Sequence, residues 1–247
     1  MVAVERIPAV TVAQMREVDR LMVEEFRIEL VQMMENAGRA LAELARRALG
    51  GDARDRRVVV LAGGGGNGGG GLAAARRLAT WGGAVSVALA RQPAALDAAP
   101  RRQLAILGRM GVPIAVPGGE LGLEHADLIL DALIGYSLAG APRGAAASLV
   151  RAANASSVPI VALDIPSGLD ADSGEPREPT IRAASTLTLA LPKVGLLRSS
   201  ARDFVGRLWL ADISVPQAVY ERVGLRVDPI FARADIIPVP ASAYDTR

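Results

Sequence analysis

Two acidic residues each follow a short apolar run, and each is then followed by a glycine-containing segment. Asp131 comes after Leu128-Ile-Leu, and Asp164 comes after the run Pro159 to Leu163. A carboxylate held at the end of a buried strand is suited to proton transfer, and oxygen ligands suit a hard cation. In the second segment a proline and a glycine tighten the turn around the hydroxyl of Ser167. The alternative is that each carboxylate only caps its own turn.

The segment from Gly63 to Gly71 consists of glycines interrupted only by Asn67. It stands between the β-branched run Val58 to Ala62, which is typical of a buried strand, and an apolar segment that predicts a helix from about residue 71 to 81. We predict a loop here, whose backbone N–H groups turn toward a phosphate at the start of the helix. A flexible linker is the alternative, although linkers rarely join a buried strand directly to a helix.

The glycine segment includes the pattern Gly-x-Gly-x-x-Gly, which alone is a weak sign of dinucleotide binding. The acidic residue that such sites place about 20 positions later is missing, and Arg91 stands near the end of the second predicted strand instead. Arg91 suits a 2′-phosphate, but an ordinary solvated arginine is the simpler interpretation. A P-loop is excluded, because no lysine followed by Ser or Thr comes after the glycines.

The composition excludes several kinds of site. The chain has no cysteine, which excludes disulfides, thiolate metal sites and cysteine nucleophiles. His125 is the only histidine, so a multi-histidine zinc site is not expected, and His125 itself is expected at the surface or at a helix end. Lys193 is the only lysine in an arginine-rich chain, which suggests chemistry that arginine does not supply. A surface lysine is the alternative.

Length, charge and hydropathy predict a folded chain without a nucleic-acid or membrane partner. The 247 residues are 51% hydrophobic and 22% charged, which is typical of globular proteins. The net charge is +2, the arginines are scattered and only 3% of the residues are aromatic, so no nucleic-acid surface is indicated. We find neither a signal-peptide core nor an apolar run of membrane-spanning length, and we expect a cytoplasmic location.

Predicted strands alternate with predicted helices along most of the chain. Thr11 and Gln14 have capping-box spacing at the start of one helix, and a second helix is predicted from about residue 29 to 49. Strands are predicted at 58–62, 84–90, 113–116, 127–131, 159–164, 185–190 and 207–212, with further helices near 71–81, 100–110 and 145–155. This alternation predicts an α/β fold with helices on both faces of a doubly wound parallel sheet. Such folds bind ligands at the carboxyl ends of their strands. The tail after Asp228 is expected to be extended.

Several motifs occur together in the order and approximate spacing of a known family. They are Met34-Glu-Asn-Ala-Gly-Arg39, the glycine segment, Asp131-Ala-Leu-Ile-Gly135, Asp164-Ile-Pro-Ser-Gly-Leu-Asp170 and Leu191-Pro-Lys-Val-Gly-Leu196. On these motifs the chain resembles the YjeF N-terminal domain family, the NAD(P)H-hydrate epimerases, from about Val10 to Pro216. The resemblance implies a three-layer α/β/α Rossmann-like sandwich with a mostly parallel sheet. It implies a single domain over residues 1–247, without the kinase-like dehydratase domain of some relatives.

The resemblance also implies an activity and a set of site residues. The activity is that of an isomerase, which epimerises the R and S forms of hydrated NADH and NADPH at the hydroxyl-bearing C6 in nicotinamide cofactor repair. A potassium ion would be bound by Asn67, Asp131 and Ser167. Asp164 is the implied acid or base, and Lys193 would stabilise developing negative charge or a phosphate. The implied substrate-binding residues are Gly66, Asn67, Gly68, Gly69, Gly70, Gly135, Tyr136, Ser137, Leu138, Ala139, Gly140, Ala141 and Asp164. The implied partners are a second copy in a homodimer and, functionally, a separate dehydratase.

The chain departs from the family pattern at four positions. Gly66 and Gly70 stand where the family loop Gly-Asn-Asn-Gly-Gly-Asp-Gly has Asn and Asp. Tyr136 and Ser137 stand where the family has Thr and Gly after the shared glycine. A non-catalytic nucleotide-binding or protein-interaction module on the same fold is therefore the alternative, although the retained carboxylates and serine favour an enzyme. An NADP-dependent oxidoreductase is disfavoured, because no Tyr-x-x-x-Lys motif is evident.

Overall fold

The computed structural model describes residues 7–119, 122–138 and 140–240. Its strands are β1 (Arg57–Ala62), β2 (Ala84–Leu89), β3 (Ile114–Ala115), β4 (Leu128–Ala132), β5 (Ile160–Leu163), β6 (Ser185–Leu189), β7 (Arg207–Ala211) and β8 (Ile236–Pro238). Over the described ranges they form one sheet in the order β3-β2-β1-β4-β5-β6-β7-β8, parallel except for β7 with β8. The chain order reverses between β1 and β4, which makes the end of these two strands the topological switch point.

Helices cover both faces of this sheet. They are α1 (Val12–Arg20), α2 (Leu30–Ala48), α3 (Gly66–Thr80), α4 (Ala98–Arg109), α5 (Gly144–Ala155), α6 (Arg202–Val205) and α7 (Gln217–Arg222). Alternate residues of a strand point to opposite faces. Val58 and Val60 accordingly join the core that contains α2, α3 and α4, whereas Val59 and Leu61 join the core that contains α5. The predicted three-layer α/β/α fold is confirmed.

The predicted start of the first helix is confirmed in detail. The Gln14 N–H donates to Thr11 Oγ1 at 3.2 Å, and the Thr11 N–H donates to Gln14 Oε1 at 3.0 Å. These two bonds satisfy backbone donors that the first helical turn leaves free. A π-helical segment, Leu21–Glu25, directly follows α1. In the described part of the chain no helix is both long and apolar enough to cross a membrane.

The glycine segment is the place where the predicted secondary structure is wrong. Helix α3 begins at Gly66, not near residue 71, so only residues 63–65 form a loop. None of the glycines in this segment has a positive φ, so backbone freedom is not what requires them. A Cβ on Gly69 would overlap the Met34 side chain, and a Cβ on Gly71 would overlap that of Ala132. The glycines allow α3 to pack directly against α2 and the sheet.

The described part of the tail forms an edge strand. Strand β8 pairs antiparallel with β7, and the pairing places Ile237 opposite Leu210. The expectation of an extended tail is therefore confirmed over β8, although its pairing was not foreseen.

Asp131 lies one residue before the end of β4, inside the strand and not after it.

Candidate active site

A cleft of 680 Å³ opens at the switch point of the sheet. This volume is in the range of about 300–1,000 Å³ that is usual for small-molecule sites. Its walls include the segments that follow β1, β2, β4, β5 and β6, together with residues of α1 and α2. Among the described residues the lining includes Asp19, Met33, Met34, Gly63, Gly64, Gly65, Gly66, Asn67, Arg91, Gly135, Tyr136, Ser137, Leu138, Ala141, Asp164 and Lys193.

Asp164 lies at the floor of the cleft, directly after β5. Its φ of +67° is in the left-handed region, which costs a residue other than glycine about 1–3 kcal/mol. The Ile165 N–H donates back to the Leu163 carbonyl at 2.8 Å, so the chain reverses in a three-residue turn at Asp164. Only 4% of Asp164 is exposed. This strained, buried placement is of the kind found at functional sites.

Lys193 is the partner of Asp164, and its side chain is buried, not at the surface. Its exposure is 1%, and its ammonium forms a salt bridge with Asp164 Oδ1. The same Nζ donates to the Leu189 carbonyl at 3.0 Å and lies 3.4 Å from Thr188 Oγ1. The alternative of a surface lysine is therefore wrong. Three acceptors around one ammonium hold a positive charge beside the carboxylate.

The two partners meet because β5 and β6 end in the same way. Strand β6 is followed by Ala190 with φ +63°, and the Leu191 N–H donates to the Leu189 carbonyl at 2.7 Å. Leu163-Asp-Ile-Pro-Ser167 and Leu189-Ala-Leu-Pro-Lys193 correspond position by position, since each begins with the last residue of its strand and continues through the turn. Since β5 and β6 are parallel neighbours, matching turns bring their polar residues to the same edge of the sheet.

Asp131 and Ser167 form a fully buried pair beneath the cleft. Ser167 Oγ donates to Asp131 Oδ1 at 2.6 Å, and the Ser167 N–H donates to Oδ2 at 2.8 Å. The Leu133 N–H also donates to Oδ1, at 3.2 Å. Burial raises the pKa of Asp131 to about 6, although these hydrogen bonds lower it. The donors to Asp131 among the described residues are all neutral, so its charge has no opposite charge in hydrogen-bond contact.

Asn67 lies on the first turn of α3, facing the loop that follows β4. A Cβ on Gly135 would lie 3.4 Å from Asn67 Cβ and 3.4 Å from Asp164 Oδ2, so this glycine separates the two side chains. Asn67 Nδ2 is buried without a hydrogen-bond partner among the described residues. Ser167 reaches the same loop, because the Ile134 N–H donates to its Oγ at 2.9 Å. Asn67 and the buried pair of Asp131 and Ser167 thus contact neighbouring residues of one loop.

Tyr136 closes one side of the cleft, and its partner was not foreseen from the sequence. The Tyr136 hydroxyl donates to Asp19 Oδ2 at 2.5 Å. Asp19 lies on α1, four residues after Met15 and three before Met22, both of which are buried. A carboxylate at the edge of an apolar helix face is the only signal in the sequence that would have pointed to Asp19.

The other predicted substrate-binding residues differ in whether they line the cleft. Gly66, Ser137, Leu138 and Ala141 line the cleft with Gly135 and Tyr136. Gly68, Gly69 and Gly70 are buried inside the packing of α3 and do not line it. Gly140 is also absent from the lining, and Ala139 lies outside the described residues. His125, expected at the surface, has a side chain that is 70% exposed.

Fold and site together define a class of protein. A Rossmann-like α/β sheet with a cleft at its switch point is typical of proteins that bind nucleotide-sized ligands. Comparison with family models narrows this class, since the model of the YjeF-related protein N-terminus matches residues 30–195. The chain therefore belongs to the family of YjeF-related proteins.

Two relatives and one solved structure agree with this assignment. The chain is 50% identical over 226 residues to the NAD(P)H-hydrate epimerase of Dehalogenimonas lykanthroporepellens, covering 90% of this chain and 88% of that one. It is 38% identical to the bifunctional NAD(P)H-hydrate repair enzyme Nnr of Moorella thermoacetica, but it matches only 41% of that enzyme's length. The crystal structure of yeast ynu0 has a TM-score of 0.80 at 24% identity, with 94% of this chain and 100% of that chain covered, and supports the fold.

Proposed function

We propose that this chain is an NAD(P)H-hydrate epimerase, an isomerase that interconverts the R and S forms of hydrated NADH and NADPH. The observation that carries the proposal is the buried pair of Asp164 and Lys193 at the floor of the 680 Å³ cleft. The 50% identity to an NAD(P)H-hydrate epimerase over 90% of this chain supports the same activity.

The reaction requires inversion at C6, the carbon that bears the hydroxyl and is bonded to the ring nitrogen. One of these two bonds must break and form again from the other face, and in either route a proton moves on or off the hydroxyl oxygen. Asp164 is the group that exchanges this proton, because its carboxylate lines the cleft and is shielded from water. Lys193 supplies a fixed positive charge beside it. Gly66 and the loop from Gly135 to Leu138 hold the dinucleotide against this pair.

The proposal is tested by measuring epimerisation of the separated hydrate forms with the purified chain. Asp164→Asn keeps the size of the side chain and removes the base, so its rate should fall by roughly 10²–10⁴-fold, the range of general acid–base groups. Asp203→Asn is the matched control, since this exposed carboxylate on α6 lies outside the cleft lining. Thermal unfolding and dinucleotide binding must show that the Asp164 variant is folded.

Equal rates with and without the wild-type chain would refute the enzyme and favour the non-catalytic binding module. Near-normal turnover of Asp164→Asn would leave the activity in place and assign Asp164 a structural role.

We further propose that Asn67, Asp131 and Ser167 hold a potassium ion. Asp131 is fully buried and has only neutral donors among the described residues, which leaves its charge without compensation. The amide nitrogen of Asn67 is buried and unpaired, and rotating the amide by 180° would place an oxygen there. Carboxylate, hydroxyl and amide oxygens are the ligands of hard cations, so these residues fit the ion. When bound, it would supply a positive charge next to Asp131.

Asp131→Ala tests the cation site. The melting temperature of the wild-type chain should be higher in potassium chloride than in the chloride of a bulky organic cation, and this difference should vanish in the variant. Asp203→Ala should retain the difference. If Asp131 only caps local N–H groups, the variant should instead lose about 1 kcal/mol of stability equally in both salts.

Two partners complete the proposal. Epimerisation only exchanges two forms of the damaged cofactor, so a separate dehydratase that accepts one form is needed to consume both. In a coupled assay with a stereospecific dehydratase, the chain should raise the regenerated cofactor from about half to nearly all of an equimolar mixture of the two hydrates. We also propose a homodimer, which light scattering of the purified chain tests directly.

A further inference from the structure

Tyr136 is connected to both members of the Asp164–Lys193 pair. The Tyr136 backbone N–H donates to Asp164 Oδ2 at 3.3 Å. Lys193 Nζ lies 5.8 Å from the centroid of the Tyr136 ring, within the distance at which a cation is attracted to an aromatic face. The Asp164 carboxylate is therefore held at Oδ1 by Lys193 and at Oδ2 by Tyr136.

The Tyr136 ring is itself fixed at its far end. Its hydroxyl donates to Asp19 Oδ2 at 2.5 Å, which joins the loop after β4 to helix α1. The pKa of Asp19 is raised by burial and, to a smaller extent, by the charge of Asp164, while the hydrogen bond from Tyr136 and the charge of Lys193 lower it in part. The Tyr136 side chain thus has two contacts, with Lys193 near its ring and the Asp19 carboxylate at its hydroxyl.

Helix α1 is held in place by backbone hydrogen bonds to the segment that carries Lys193. Just before α1, the Val10 N–H donates to the Pro192 carbonyl at 2.8 Å, and the Val194 N–H donates to the Val10 carbonyl at 3.0 Å. These two bonds flank Lys193 on its own segment. The helix that carries Asp19 is thus attached to the segment that carries Lys193. Asp19 in turn contacts Tyr136, and both Tyr136 and Lys193 contact Asp164.

We infer that Tyr136 is a positioning residue for Asp164 and that Asp19 acts through Tyr136 as its acceptor. The inference rests on the proposed epimerase activity. Without the hydroxyl contact, the loop after β4 loses its attachment to α1, and the backbone N–H moves relative to Asp164 Oδ2. A displacement of about 1 Å in a catalytic group costs as much as 10²-fold in rate, so we expect an effect of about 10- to 100-fold on kcat.

Four variants test this arrangement: Tyr136→Phe, Asp19→Ala, Asp19→Asn and the double variant Asp19→Ala/Tyr136→Phe. Tyr136→Phe and Asp19→Ala should each lower kcat by about 10- to 100-fold. KM should stay within a few-fold of the wild-type value, because both variants keep the aromatic ring at position 136 and thus the wall of the cleft. Asp19→Asn should retain most of kcat, since its amide oxygen still accepts the hydroxyl. The double variant should be no slower than Tyr136→Phe alone, because Asp19 acts through Tyr136.

Tyr220→Phe is the matched control. It removes a hydroxyl from another mostly buried tyrosine, on α7 and outside the cleft lining, and should leave kcat unchanged.

Hydrogen exchange at the Tyr136 amide gives a readout that does not depend on activity. The amide should exchange faster in Tyr136→Phe and Asp19→Ala than in the wild-type chain, and at the wild-type rate in Asp19→Asn. Unchanged exchange and kcat in Asp19→Ala, or a double variant whose loss is the product of the single losses, would overturn the inference while the epimerase activity stands. A wild-type chain that leaves both hydrates unchanged would refute the proposed function instead, and the positioning role of Tyr136 in that reaction with it.

Discussion

Replacing Gly38 by alanine tests whether the glycines of this chain serve close packing. Gly38 lies in α2 where this helix meets α3, and a Cβ there would lie 2.5 Å from Ala73 Cβ and 2.8 Å from the Gly70 carbonyl oxygen. Carbon atoms prefer about 3.5–4.0 Å, so the helices would have to separate by about 1 Å. The neighbours are a backbone atom and an alanine Cβ, neither of which can turn away.

The expected magnitude follows from two opposing contributions. Overpacking of this kind lowers the free energy of unfolding by up to about 3 kcal/mol. The higher helix propensity of alanine raises it by about 1 kcal/mol. The net loss is about 2 kcal/mol, which lowers the melting temperature of a chain of this size by about 4–8 °C. Gly108→Ala in α4 is the matched control, because its Cβ would have no neighbour within 4 Å. It should raise the melting temperature by about 2–4 °C.

Thermal and urea unfolding of the two variants give the comparison. If Gly38→Ala is as stable as the wild-type chain or more stable, close approach of α2 and α3 is not what requires Gly38, and the packing explanation of the glycine segment is refuted as well.

Three further predictions concern the site. Gly66→Ala adds a Cβ to a residue of the cleft lining, and this Cβ meets no protein atom within 4 Å, so we expect KM for the hydrate to rise while the melting temperature does not fall. Lys193→Met leaves the Asp164 charge buried without its partner and should lower the free energy of unfolding by about 3–5 kcal/mol; adding Asp164→Asn should recover part of it. Because burial raises the pKa of Asp131 to about 6 from its ordinary 3.8, the native state holds a proton that the unfolded chain releases. In potassium-free buffer the free energy of unfolding should therefore fall as pH rises from about 4 to 6, and Asp131→Asn should lack this fall.

Local patterns in the sequence were enough for the layout of the fold. The apolar runs that end at Asp131 and Asp164, alternating with amphipathic helices, predicted the parallel strands and their shared carboxyl edge. The capping box at Thr11 predicted the start of α1, because both of its hydrogen bonds lie within one helical turn. The apolar run that ends at Asp164 is also a local pattern, and it predicted Asp164 as a residue at the floor of a site.

The role of the glycine segment was decided only by tertiary structure. A run of glycines is compatible with a loop or with a tightly packed helix, since glycine serves both backbone freedom and close approach. The choice depends on what faces each residue, and Met34 and Ala132 come from distant parts of the chain. The helix therefore starts at Gly66, and only the first glycines and Asn67 line the cleft.

The partners of the site residues likewise depend on the assembled fold. Lys193 reaches Asp164 because two parallel strands end in matching turns, and Asp19 reaches Tyr136 because α1 is held beside the Lys193 segment. The residues of each pair are 29 and 117 positions apart in sequence. The sequence by itself determined which residue types stand at the ends of the strands. Which of them meet, and which are sealed from water, followed only from packing, because contacts and burial are properties of the three-dimensional arrangement.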